Sequence, residues 1–368
     1  MSVQNKLQYK TNAWLQIYAS EENKDGLIIE DFFNKKRFEI NNSIFPQILS
    51  FCTKFKSHSE IVDFIKNEFL LSKEDAEAIL NELIKYNFLI TKSSACYDAE
   101  EKTRFWKRYG WNEALDYFIA IKDYPFLDYE SIQAKRAEDG LMNKYIKKDP
   151  VPSIYKKYKN SKKISLVKDY SSMDNVDLRK LLIEKVFDYK ASSDPLSKKQ
   201  ISDVLFNTFG KTGTVEFELQ GEFLLKNNPS GGARHPIEAY PIIFNSEIKK
   251  GIYHYSVRDN ALEEISSTAN LDQIKELIYE LKTNPMFPIK MVIVMSAIFP
   301  RSMWRYRDPR SYRVILHDMG HILETMKIVC KAFGIKTYYG HGFHDKRLGK
   351  LFNISGIDEA VLKFAVLG

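Results

Sequence analysis

The chain has 368 residues, of which 44% are hydrophobic and 28% charged, so it is neither a disordered chain nor a single small core, and two domains are expected. Lys and Arg number 55 against 48 Asp and Glu, a formal net charge of +7 without an aromatic-interleaved basic stripe, which argues against a nucleic-acid partner. Three cysteines (Cys52, Cys96, Cys330) without metal-type spacing, an N-terminal "MSVQNKLQYK" with no apolar signal core, and no run of membrane-spanning length predict a reducing, cytoplasmic setting and no membrane.

The first unit is expected over residues 1–92. "GLIIEDFFNKKRFEIN" (26–41) holds two short β-prone runs around a turn. Ser57 and Glu60 have capping-box spacing ahead of a stripe of Ile61, Phe64 and Ile65. Ser72 and Asp75 repeat it ahead of Ala76, Ile79, Leu80 and Leu83, and "FLI" closes the unit as a strand. Two strands, helices and a strand make a winged-helix-like order. The last helix is acidic and nearly free of arginine, which speaks against DNA. Capture of a peptide along an open sheet edge and a structural dimerisation arm are both left open.

Residues 93–180 are expected to be a helical connecting segment. Trp106, Tyr109, Trp111, Tyr117 and Phe118 in its densest part are read as core. Pro150, Pro152 and the lysine run "KKYKNSKK" (156–163) are read as a solvated linker. From 181 to 368 a larger α+β domain is expected. "LSKKQISDVLFNTFG" reads as a helix with a glycine stop, and "TVEFEL", "AYPIIF", "GIYHYSV" and "KMVIVMSAIF" read as strands. "YRVILHDMGHILETMKIVCKAFG" is apolar nearly all round and is expected to be buried.

Three stretches in this domain carry chemistry. In "NNPSGGARHPIEAYPIIF" (227–244), Gly231 and Gly232 let backbone approach a planar or phosphorylated ligand, with Arg234 beside them; a plain turn is the competing reading. In "FPRSMWRYRDPRSYRVILHDMGHI" (299–322), Arg301, Arg305, Arg307, Arg310 and Arg313 crowd before an apolar helix and need anionic partners, a bound phosphate or carboxylates. In "GIKTYYGHGFHDKRLGKLF" (334–352), Lys346 and Arg347 flank a helix start suited to an anion. His317 and His321 lie one turn apart, but without a Glu in the zinc-protease position or a cysteine partner they are read as core histidines, and no metal is expected.

Taken in order, these stretches resemble the thiazole/oxazole-forming flavin dehydrogenases of peptide biosynthesis, a branch of the nitroreductase superfamily. "PSGGARHPIEAY" is similar to that family's Pro-Ser-Ala/Gly-Gly-Ala-Arg segment, "WRYRDPRSYRVILHDMGHI" to its Lys-Tyr…Tyr-Arg…Asp/Glu-x-Gly-His block, and "PLSKKQISDVLF" to the helix opening its flavin domain. "GHGFHDKRLGKLFNISGIDEAVLKFAVLG" resembles its closing segment, and the N-terminal unit resembles winged-helix peptide-recognition elements joined to such enzymes. The resemblance implies an α+β, nitroreductase-like FMN domain behind a small winged-helix-like domain and a helical connection. It implies FMN at a homodimer interface, contacted by Ser230, Gly231, Gly232, Arg234, Arg313, His341, Gly342 and Arg347, and a precursor peptide whose leader is bound by the N-terminal domain. Two departures stand out. The arginine phosphate anchor ahead of the Pro-Leu-Ser helix is replaced by "EKVFDYKASSD", with Lys185 and Lys190 the nearby cations. The family's Lys-Tyr pair is Arg305-Tyr306, the catalytic candidates. Arginine stays protonated and cannot act as a base. It can steady charge on an amide oxygen while Tyr306 donates a proton, which points to NAD(P)H-driven reduction of dehydroalanine or dehydrobutyrine. Azoline oxidation and a non-catalytic peptide scaffold are the alternatives.

Overall fold

Short β-prone runs broken by polar turns open the chain as β1 (Gln8–Thr11), β2 (Leu15–Ala19), β3 (Leu27–Asp31) and β4 (Lys36–Ile40). They are followed by α1 (Ile44–Phe51), β5 (Lys56–Ser57), α2 (His58–Phe69), α3 (Lys73–Lys85) and β6 (Leu89–Ile90). This computed structural model describes residues 7–22, 26–41, 44–123, 131–183, 192–218, 220–283, 285 and 287–368. The chain divides into two units, 1–125 and 126–368, which share out the helical stretch expected at 93–180. Among the described residues no helix is long and apolar enough to cross a membrane.

In the first unit β2, β3 and β4 form one antiparallel sheet, and β1 pairs with β5 and β6 in another. Both expected helix starts form. Ser57 caps α2 in a full capping box, its backbone N–H donating to Glu60 at 2.7 Å, and Ser72 caps α3. Each cap satisfies amide groups that the first helical turn leaves without a partner. Ile61 and Ile65 of α2 and Ala76, Leu80 and Leu83 of α3 then meet Ile29 and Ile48 in one core. The aromatic block departs in part from expectation. On α4 (Ala95–Arg108) and α5 (Asn112–Ile121) the buried face belongs to Cys96, Leu115 and Ile119. Tyr109 and Trp111 are 67% and 61% exposed, and Phe118 is also exposed, stacked on Trp106 at 5.7 Å. Trp106 is half-buried and packs against this core as expected, and Tyr117 is half-buried, while Tyr109, Trp111 and Phe118 stay at the surface because the fully buried stripe is made by the smaller residues.

The second unit runs α6 (Ile132–Lys148), β7 (Lys163–Ser165), α7 (Leu178–Ile183), α8 (Lys198–Phe209), β8 (Lys211–Phe217) and β9 (Gly221–Lys226). It continues with β10 (Ile237–Ile243), β11 (Gly251–Ser256), β12 (Ala261–Ser266), α9 (Leu271–Leu277), β13 (Met291–Ile298) and α10 (Phe299–Met303). The last elements are α11 (Ser311–Ala332), β14 (Thr337–Gly340), α12 (Asp345–Lys350) and β15 (Glu359–Leu367). A seven-stranded sheet in the order β14-β15-β13-β10-β11-β12-β7 is its centre, and every pairing is antiparallel. Both sheet faces are covered, so the central strands read as unbroken apolar runs rather than alternating ones. Ile237, Ala239 and Ile243 meet Leu205 and Phe209 of α8 and Ile315, Met319 and Met326 of α11. On the opposite face Tyr240 and Ile242 meet Ile274, Leu277, Leu348 and Phe352.

Two further expectations are corrected here. The lysine run is solvated at Lys157, Lys159, Asn160, Lys162 and Lys163 but is no free linker: its last residue starts β7, which pairs with β12, Lys156 lies 2.5 Å from Glu359, and the Tyr158 hydroxyl donates to the Phe352 carbonyl at 2.5 Å. Nor is α11 buried all round. Ile315, Met319, Ile322 and Met326 face the sheet, while Tyr312, Leu316, His317 and His321 face outward. His317 and His321 are therefore surface residues, not core histidines.

Candidate functional site

Val314, Asp318, His321 and Thr325 are spaced four, three and four residues apart, so the helical repeat sets them along one face of α11. That face holds the segment between β9 and β10. Thr325 donates to the Asn228 side chain, and His321 Nδ1 lies 3.2 Å from the Pro229 carbonyl, the donating tautomer. Asp318 accepts from the Ser230 hydroxyl at 2.5 Å and from the Gly231 N–H at 3.2 Å. Burial pushes the Asp318 carboxyl up, against the pull of those two bonds.

The two glycines owe their identity to neighbours in the chain itself. A Cβ on Gly231 would overlap Val314, and one on Gly232, at φ +58°, would overlap the Tyr306 hydroxyl. Ala233 and His235 also lie at positive φ, +52° and +44°. Each such residue costs about 1–3 kcal/mol and persists only where its surroundings hold it. Here the Ala233 and His235 amides both bond Ser230, at 2.9 Å to its carbonyl and 2.9 Å to its hydroxyl. Arg234 Nε donates back to the Gly232 carbonyl at 2.9 Å, and its guanidinium lies 4.0 Å from the centre of the Phe223 ring. The His235 ring is held neutral, its pKa pushed down to about 3 by burial and by Lys226, Arg301 and Arg234, and Nε2 donates to the Leu224 carbonyl at 3.0 Å. Ser230→Ala removes one bond from Asp318 and one from His235. We expect a stability loss of about 1–3 kcal/mol, read from the denaturant midpoint; an unchanged midpoint would reject Ser230 as the staple of this loop.

Ser230, Gly231, Gly232 and Arg234 thus come together with Tyr306. Arg305 is beside them, over the Tyr306 ring at 5.5 Å, but its guanidinium is ion-paired to Glu138 of α6 and 3.1 Å from the Met142 sulfur. The arginine run finds carboxylates: Arg301 pairs with Glu238 at 2.6 Å and Arg307 with Asp149 at 2.6 Å. Arg313 is half-buried on the first turn of α11. His341 and Gly342 sit elsewhere, after β14, where both amides donate to Glu280, the first at 3.0 Å. Arg347 is exposed on α12. Lys185 and Lys190 lie outside the described residues.

Residues 188–368 match the model of the Nitroreductase family. The C-terminal unit contains a nitroreductase-family domain. The chain is 32% identical over 240 residues to the trifolitoxin-processing protein TfxB of Rhizobium leguminosarum bv. trifolii, covering 61% of each chain. It is 25% identical over 166 residues to the microcin B17-processing protein McbC of Escherichia coli, covering 43% of this chain and 57% of that one. It spans less than two thirds of the length of either relative.

Sequence reasoning missed a second polar cluster within this nitroreductase-family domain. Glu238 of β10 lies between Arg301 and His254 Nε2 (2.8 Å), and His254 Nδ1 reaches Glu263 of β12 at 3.0 Å. Glu359 accepts from Tyr240 and Ser296, each at 2.6 Å, and from Lys156. The cluster's groups come from five strands, α10 and the 151–166 segment, so no local spacing announces it. Asp318, the other residue missed, had a signal: the four-three-four stripe that it shares with Val314, His321 and Thr325.

Proposed function

We propose that this protein is an FMN-dependent oxidoreductase that modifies a ribosomally synthesised peptide. The family match and the two relatives named as toxin- or microcin-processing proteins support it. The observation that carries it is the loop tip at Gly232, exposed, free of a Cβ and backed by the Tyr306 hydroxyl. Such a tip fits the flat face of a flavin ring, with Gly231 and Ser230 behind it and Arg234 stiffening it from the protein side. Among the described residues, Arg313 and Arg347 are the cations we assign to the phosphate; the His341 and Gly342 amides serve only if Glu280 gives way. Bound FMN supplies two-electron chemistry as a hydride carrier.

The chain's own part is to place the peptide and move a proton. Tyr306 can donate its phenolic proton to Cα while Cβ of a dehydroalanine or dehydrobutyrine gains hydride, with NAD(P)H as the reductant. The Arg305–Glu138 pair favours a second reading, azoline oxidation to an azole, because a guanidinium already neutralised has little charge to offer a developing oxyanion. The outward Tyr312 and Leu316 of α11, with exposed Met303, support a homodimer. The β2-β3-β4 sheet, whose outer edges are unpaired among the described residues, supports leader binding by strand addition in a winged-helix-like N-terminal domain.

The purified protein is expected to be yellow, or to show bound-flavin absorbance on adding FMN. A colourless protein that takes up none rejects the proposal. Mass spectrometry of the peptide then assigns direction: two hydrogens gained at a dehydrated Ser or Thr with NAD(P)H, or two lost at a Cys- or Ser-derived ring without it. Tyr306→Phe is expected to slow either reaction while leaving flavin bound; unchanged turnover would exclude the phenol from proton transfer, whereas a scaffold would bind leader peptide without turnover, with or without the Tyr306 hydroxyl.

A further inference from the structure

β8 and β9 form a two-stranded ribbon in which, among the described residues, neither outer edge is paired. Its register places Val215 opposite Phe223 and Gly213 opposite Leu225, and alternation puts Val215, Phe217, Phe223 and Leu225 on one face. Glu222 and Leu224 take the other face, where Leu224 is buried and Glu222 accepts from the Tyr155 hydroxyl at 3.0 Å. The ribbon is therefore fastened by its mixed face and turns its apolar face outward, with Val215, Phe217 and Leu225 each more than 40% exposed. An isolated two-stranded ribbon gains nothing in water from such a face.

What covers it follows from where it leads. Phe217 and Phe223 pack at 4.6 Å between ring centres, and Phe223 carries the Arg234 guanidinium, whose Nε is bound to the Gly232 carbonyl. The apolar face is thus joined, through the Arg234 side chain stacked on Phe223, to the loop tip beside Tyr306. We propose that this face seats apolar side chains of the peptide substrate, held extended beside the residue that reacts. An extended chain presents every second side chain to one side, matching the ribbon's spacing, and either free edge offers it main-chain hydrogen bonds. The inference rests on the peptide-substrate reading and selects sequences with apolar residues at alternate positions near the modified one.

The test uses the full-length protein and two fluorescein-labelled peptides, Ser-Phe-Ser-Leu-Ser-Val and Ser-Asn-Ser-Asn-Ser-Asn, followed by fluorescence anisotropy. The wild type is expected to bind the first roughly tenfold more tightly, the size given by partial burial of two apolar side chains. Val215→Ser/Phe217→Ser, and separately Leu225→Ser, are expected to erase that preference with an unchanged sedimentation coefficient. A wild type without the preference, or variants that keep it, overturns the proposal. A changed sedimentation coefficient also overturns it and gives the face to a second copy of the chain. The assay needs no flavin, so failure of the flavin reading would appear separately, in the absorbance titration.

Discussion

Arg301→Met is expected to lower the unfolding free energy of the C-terminal unit by about 3–5 kcal/mol, because it leaves the Glu238 carboxylate buried without its strongest partner. Both side chains are only 4% exposed, and Arg301 also donates to the His235 and Ser153 carbonyls, at 3.1 and 3.0 Å. Burial alone would push Glu238 up, yet Arg301 and His254 together hold it down at about 2. Its contribution is thus complete above the ordinary value of 4.5 and is lost as pH falls from there towards about 2. His254 runs the other way. Burial opposes its charge, but hydrogen bonds to Glu238 and Glu263 outweigh burial and raise its pKa above 6.5. Its contribution is complete below 6.5 and is lost as pH rises through the folded value. Wild-type stability from these two groups should be greatest between about 4.5 and 6.5, and denaturant melts across pH check this. In Arg301→Met the folded Glu238 value should rise towards or above 4.5, so the acid-side loss should shrink or vanish; superimposable profiles would show that the pair does not govern Glu238.

Gly232→Ala is expected to reduce peptide turnover about 100-fold, the effect of displacing a reacting group by an ångström or so. The new methyl group would occupy the position of the Tyr306 hydroxyl, at a φ of +58° that already disfavours a side chain. Either the loop tip or the phenol must move. Combining it with Tyr306→Phe separates the two. Removing the hydroxyl leaves the ring carbon that bore it 3.0 Å from the added methyl, so the loop regains most of its room. Flavin affinity lost in Gly232→Ala should largely return in the double variant, while turnover should not. A single variant with full turnover would mean that the loop tip does not contact the reaction.

Much of the local structure was legible because it depends on neighbours in the chain. Ser57 with Glu60 and Ser72 with Asp75 announce helix starts by spacing alone, and both caps form. The apolar runs around Tyr240 and Val294 announce buried strands in the same way. The glycine loop was legible as a special backbone, but its cause was not. Gly231 and Gly232 yield to Val314 and Tyr306, more than seventy residues downstream, which only folding brings within reach.

The arginine run shows the same division. Its need for anions follows from charge beside apolar sequence, but the partners Glu138, Asp149 and Glu238 were chosen by the placement of α6, the segment after it and β10. Similarly, α11 has enough apolar residues to look buried throughout, and only packing on the sheet decided which face stayed outside. Tyr109, Trp111 and Phe118 were misjudged because hydrophobicity says that a ring prefers to be covered, not that there is room beneath it. The sequence by itself determined the caps, the turns and the strands, which answer to interactions a few residues long. The tertiary structure decided which charges meet, which rings are covered and why the loop is glycine, because those depend on contacts that no local pattern encodes.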